Sequence, residues 1–135
     1  MSADADLIRR LTTEAFLDGK ISVIDELVAD NFVDHDPPPG VPGTKQGFQQ
    51  VAELVTSAFS DRKAVLDEYI DTADGRVVEN WIMSAKHTGE AFGAPPSNQE
   101  VQVHGLEIFR CANGKLVEHW GVVDMSDVMM KAMGG

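Results

Sequence analysis

The chain predicts an α+β fold: helices first, then a mostly antiparallel sheet. Apolar residues recur at helical spacing through about residue 60. From residue 63 onward the runs become β-branched and aromatic, broken by Asp74-Gly75 and Asn113-Gly114, dipeptides that suit hairpin turns. A length of 135 residues suits one domain, 1–135, large enough to bury roughly 70% of the surface its unfolded form exposes.

Leu7, Ile8, Leu11 and Ala15 mark a first helix that Gly19 can stop. Ser22, with Asp25 three positions on, predicts a capped second helix presenting Ile24, Leu27 and Val28. The run FVDHDPPPGVPG cannot stay helical, so it reads as a loop entered by a short extended piece, Phe32 to His35. Thr44 can cap a third helix whose stripe is Phe48, Val51, Leu54, Val55 and Ala58. AVLDEYIDTADG, RVVENWIMSAKHTG, EVQVHGLEIFRCANG and KLVEHWGVVDM read as strands, and SDVMMKAMGG as a helical tail. A curved sheet wrapped over the early helices leaves a cone with an interior pocket.

Eleven basic residues against twenty-two acidic ones give a net charge of −11. That charge repels phosphate backbones and anionic lipid, so neither nucleic acid nor a membrane is an expected partner. A single cysteine, Cys111, makes no internal disulfide, and the acidic start MSADADLIRR lacks a signal-peptide layout, so a cytoplasmic location is expected. Neither a zinc-ligand spacing nor a phosphate-loop pattern occurs, so no metal or cofactor is expected.

His87-Thr88-Gly89, Gly93-x-Pro95-Pro96 and Arg110-x-x-x-Gly114-Lys115-x-x-Glu118-His119-Trp120 occur in that order. With FVDHDPPPGVPG, they resemble the SnoaL-like polyketide cyclases, or ester cyclases, of the nuclear-transport-factor-2-like superfamily, from about Leu7 to the end of the chain. The resemblance implies a cone-shaped α+β barrel, N-terminal helices packed into a curved sheet, a pocket for a small hydrophobic molecule and a homodimer formed through the sheet. It also implies that positions 107 and 121 face the pocket.

Two turns are possible between the last strands. A strict two-residue Asn113-Gly114 turn pairs Ala112 with Lys115, whereas a three-residue turn pairs Cys111 with Lys115 and sets Glu107 opposite His119. The second is preferred, with Val103, Gly105, Glu107, Phe109, Val117, His119, Gly121 and Val123 facing inward. Leu106, Ile108, Trp120 and Val122 then form an outer apolar strip for a partner subunit.

Glu107 and His119 are the candidate acid/base pair, since a carboxyl on an apolar face needs a partner. His35 and Asp36 are expected at the pocket mouth, with Trp81, Phe109, Val103 and Asp124 as ligand-binding candidates and Met125, Met129, Met130 and Met133 as an apolar lid. His87 is expected to be a hydrogen-bonded structural residue of its turn. Within the superfamily, Asp36-Pro37 is similar to the general-base step of the ketosteroid isomerases, and Glu107 to their oxyanion-binding acid. Their first-helix tyrosine corresponds to Thr12. The aspartate that the resemblance places after Trp120 in the cyclases is Gly121, and their helper histidine is Glu107. The arginine and second acid of epoxide-hydrolase relatives are Gly105 and Gly121, which excludes that chemistry. The expected reaction is proton abstraction beside a carbonyl, followed by isomerisation or aldol closure, with a ligand-binding or interaction module as the alternative.

Overall fold

A computed structural model of the chain describes residues 2–134. Helix α1 (Ala3–Leu11) starts at Ser2, whose hydroxyl accepts the Ala5 N–H, and carries Asp4 and Asp6 in its first turn and Arg9 and Arg10 in its last. Both charge placements suit the helix dipole. The helix runs on as a π-helical segment, Thr12–Leu17, before Gly19 turns the chain at φ +74°. Helix α2 (Val23–Leu27) is present, but the Ser22 side chain makes no capping bond to it.

Strand β1 (Val28–Asp34) begins earlier than the sequence suggests, because Val28 and Phe32 bury themselves along it. Thr44 caps α3 (Lys45–Ala58), accepting the Gly47 N–H at 3.2 Å. Phe48, Ala52 and Ala58 are buried in α3, whereas Leu54 remains 37% exposed and so falls off the expected stripe.

Strands β2 (Phe59–Asp71), β3 (Arg76–His87), β4 (Glu100–Ala112) and β5 (Lys115–Asp124) follow, and α4 (Ser126–Ala132) closes the described chain. The strand order is β1-β5-β4-β3-β2, antiparallel except for the parallel pair β1 and β5. The sheet is curled and unclosed, in agreement with the expected cone. Register irregularities between Ser60 and Lys63 and between Ala64 and Leu66 accompany the bend at the start of β2.

The β4–β5 register is neither of the two anticipated. The turn is the strict two-residue one, with Asn113 at φ +54° and Gly114 at φ +75°, and Ala112 faces Lys115. An irregularity between Arg110 and Cys111 then moves the pairing on by one, so that Arg110 faces Glu118 and Glu107 faces Gly121 rather than His119. Val117 is the extra residue of β5 at this bulge, and Leu116 is the one fully buried opposite Cys111. The inward set around Glu107 stands except at Val117, where the bulge gives the buried place to Leu116; beyond the bulge the preferred and actual registers differ by two residues and keep the same parity.

Two apolar clusters brace the sheet. Ile8, Leu11, Ile24 and Val28 join Phe109 and Leu116 in one, and Phe59, Met83, Val101, Val103 and Val128 form the other. Each buried side chain of this size contributes about 1.5–3 kcal/mol. A cavity of about 370 Å³ draws walls from both clusters.

Candidate active site

The inner face of the sheet is organised in cross-strand rows. Tyr69, Glu79, Glu107 and Gly121 form one row across β2–β5. Asp67, Trp81, Gly105 and Val123 form the next on one side. Val77, Phe109, His119 and Asp34 form the row on the other side, the last supplied by the parallel strand β1.

His119 joins β1 to β4. Its Nδ1 lies 2.8 Å from Asp34 Oδ1 and its Nε2 2.8 Å from Glu107 Oε1, diagonally across the strand pair. The ring is largely buried and packs against Phe109 at 5.1 Å between centroids. Burial works against the imidazolium, but hydrogen bonds to Asp34 and Glu107, with the charges of both, outweigh it and push the His119 pKa up to about 9. At neutral pH both ring nitrogens therefore donate, one to each carboxylate.

The second oxygen of Glu107 accepts the Trp81 indole N–H at 2.6 Å. Gly105 makes this possible, since a Cβ there would stand 2.2 Å from Trp81 Cε2. Gly121 does the same for the other partner: its Cβ would meet Glu107 Cγ at 3.0 Å and His119 Nε2 at 3.1 Å. The two glycines thus leave the space in which Glu107 is clamped between an indole and an imidazolium.

The loop after β1 is tied to the same place. Asp36 lines the cavity, accepts the Gly121 N–H at 2.9 Å through Oδ2, and donates its own N–H to Asp34 Oδ1 at 3.0 Å. His35 is not at the pocket mouth as expected. It follows the inward Asp34 on an extended chain and turns to the outer face, donating its backbone N–H to the His119 carbonyl. Its ring stacks on Trp120 at 4.8 Å and 7°, and its Nε2 lies 2.7 Å from Glu118.

Trp81, Phe109 and Val103 line the cavity. Asp124 does not; it pairs with the outward His104 at the strand end and accepts the Ser126 N–H at 2.9 Å. Of the expected methionine lid, Met125 lines the cavity, whereas Met130 and Met133 are exposed. His87 is fully buried, but its ring has no hydrogen-bond partner among the described residues; the turn is held by its backbone, through Gln99 and Asn98.

Sequence reasoning passed over Asp34, Glu79 and Asp67. The alternation Val77, Glu79, Trp81, Met83 along β3 could have revealed Glu79 as a carboxyl on an apolar face. Asp34 carries no such signal, because its place beside His119 comes from the parallel pairing of β1 with β5. Among the described residues no group of three or more His, Cys, Asp or Glu could hold a metal ion, and no helix is long and apolar enough to cross a membrane.

The fold that carries this cavity, helices packed against a curled and unclosed sheet, is the one that the comparisons with known proteins match. The family model for SnoaL-like polyketide cyclase matches residues 6–131, and the chain belongs to that family. No curated protein matches it. Among solved structures it is similar to TsrD from Streptomyces laurentii, with a TM-score of 0.82 and 18% identity over 96% of this chain and 94% of that one. It is also similar to IdmH, a candidate polyketide cyclase from Streptomyces antibioticus, with a TM-score of 0.78 and 26% identity over 100% of both chains. AclR, a candidate hydroxylase from Streptomyces galilaeus, gives a TM-score of 0.81 and 22% identity over 100% of this chain and 99% of that one.

Proposed function

We propose that the protein is a cofactor-independent acid/base catalyst of cyclase or isomerase type, acting in the cytoplasm on a small hydrophobic carbonyl compound or ester. The observation that carries this reading is the Glu107–His119 pair at 2.8 Å in the wall of an apolar cavity of about 370 Å³. A cavity of that size suits a small organic ligand.

The His119 ring at 2.8 Å fixes the Glu107 carboxyl in the cavity wall, and the apolar surroundings strengthen the electrostatic interactions made there. The α-C–H bond of the bound carbonyl compound breaks, its proton goes to Glu107, and the electron pair becomes an enolate. In an isomerisation the proton returns to another carbon of the same system. In an aldol closure the enolate carbon bonds to a second carbonyl carbon of the molecule, and the resulting alkoxide takes the proton from Glu107. Asp36, fixed by the Gly121 N–H, shapes the mouth beside that carboxylate.

Exchange of the α-protons of 1-tetralone for deuterium, followed by NMR, tests the first step without requiring the natural substrate. Glu107→Gln is expected to slow enzyme-dependent exchange by about 100-fold or more while changing the binding of 1-tetralone less than about threefold. Equal losses in exchange and binding overturn the acid/base role.

A second reading, a binding module without turnover, is favoured by one observation: both Glu107 oxygens already accept hydrogen bonds. In that case 1-tetralone binds with no exchange above background. In either reading the outer strip formed by Leu106, Ile108, Trp120 and Val122 is proposed as the face of a homodimer. Leu106 at 48% and Val122 at 71% exposed leave an apolar surface that a second copy would cover.

A further inference from the structure

The cavity has a second polar pole, separate from the His119 pair. Glu79 is 2% exposed and lines the cavity, as do the half-buried Asp67 and Thr12. Tyr69 OH stands 3.0 Å from Glu79 Oε2, 3.0 Å from Asp67 Oδ2 and 3.0 Å from Thr12 Oγ1. The Thr12 hydroxyl also reaches the Arg9 carbonyl at 3.3 Å.

The phenol has one proton and faces two carboxyl groups, so it can satisfy only one of them. No N–H or O–H of the described residues reaches Glu79 Oε1 or Asp67 Oδ1, although both atoms are buried. Two neighbouring carboxylates with those oxygens unserved cannot both stay ionised, and the site must hold a proton of its own. Glu79 is the group that holds it. It is the more buried of the two and faces the Glu107 carboxylate directly across the strand pair. Burial, the neighbouring Asp67 carboxyl and the Glu107 charge together push the Glu79 pKa up to about 10.

The Glu79 and Asp67 carboxyls are hydrogen-bonding neighbours, so a proton held on Glu79 supplies the donor that their two orphaned oxygens otherwise lack and leaves Asp67 as an acceptor on the cavity wall. We propose that Asp67, served by the Glu79 proton, is a specificity-determining residue that accepts a hydrogen bond from a hydroxyl or amine group of the bound ligand. The ligand class implied is a neutral carbonyl compound with a hydrogen-bond-donating substituent. Free carboxylic acids are disfavoured, because Asp34, Asp36, Asp67 and Glu107 share the cavity with His119 as the cationic partner among its lining residues. The inference rests on the cavity being the ligand site, but not on catalysis there.

The test compares 1-tetralones carrying a hydroxyl with those carrying a methoxy group at the same ring position, by calorimetric titration. The hydroxyl donates and the methoxy group cannot. For at least one position, the protein is expected to bind the hydroxy compound about 10-fold or more tightly than the methoxy compound. Asp67→Asn, whose amide can donate, is expected to erase or reverse that preference. Glu79→Gln, whose amide still donates to Asp67, is expected to keep it.

Equal affinity for both series, no binding of the hydroxy compounds, or a preference that survives Asp67→Asn overturns the proposal. The comparison on the unsubstituted-sequence protein needs no variant to fold. Deuterium exchange on the same compounds separates the two readings. Exchange without a hydroxyl preference leaves the acid/base function standing and removes the Asp67 role, while a preference without exchange does the reverse.

Discussion

Glu107 is made usable by what two neighbouring positions lack. Trp81 lies over β4 because Gly105 has no side chain, and the indole then donates to Glu107 at 2.6 Å. Gly121, directly across from Glu107, leaves the diagonal to His119 open. The absence of the aspartate that the family resemblance places at position 121 therefore has a local reason: an acid there would crowd both members of the pair already present. Gly105→Ala puts a methyl group 2.2 Å from the indole and must displace it. The expected cost is about 1–3 kcal/mol of stability, with loss of the Trp81–Glu107 bond. Urea unfolding and Trp fluorescence check this, and an unchanged midpoint with unchanged emission would show that the indole lies elsewhere.

At the scale of elements, the order of helices and strands was legible because hydrophobic period and hairpin dipeptides are local signals. The inward face of β4, and of β5 from His119 onward, was legible too, since alternation carries parity along an unbroken strand; before the bulge Leu116 takes the buried place expected of Val117. The pairing itself was not. It depends on a bulge at Val117 that shifts β5 by one after a tight turn, and no residue type marks the bulge in KLVEHWGVVD. The same limit applies to β1. Its strand begins at Val28, where the sequence continues a helical pattern, and tertiary packing of Val28 and Phe32 overrides that local preference. His35 falls on the outer face for a related reason: the proline-rich run hides the fact that β1 extends through Asp34, which follows Phe32 inward by two residues. Asp34 is consequently the part of the site that only the parallel β1–β5 pairing reveals.

For the whole molecule, the buried ionisable groups set how stability responds to pH. His119 holds its proton up to about 9 in the fold against an ordinary 6.5, and Glu79 up to about 10 against 4.5. Both bind a proton more tightly folded than unfolded, so both make stability fall as pH rises. The His119 contribution is complete below 6.5 and is lost through about 9, while the Glu79 penalty grows from 4.5 towards about 10. Half-buried Glu118 and exposed Glu26 are held below the usual carboxylate range, by His35 and by Arg10 respectively. They act in the opposite sense, and only as pH falls through the carboxylate range. The urea midpoint is therefore expected to decline between pH 6.5 and 9, less steeply in Glu79→Gln; a flat or rising wild-type profile would contradict this.

The proposed proton transfer depends most directly on the charge state of His119, because the proposal places an imidazolium between Asp34 and Glu107. Nitrogen-15 NMR of the His119 ring, assigned by its loss in His119→Gln, reads that state directly. The expected result is a doubly protonated ring at pH 7 that titrates with a midpoint near 9. A neutral ring at pH 7, with one bare nitrogen, would contradict the clamp between Asp34 and Glu107 and the proton transfer built on it.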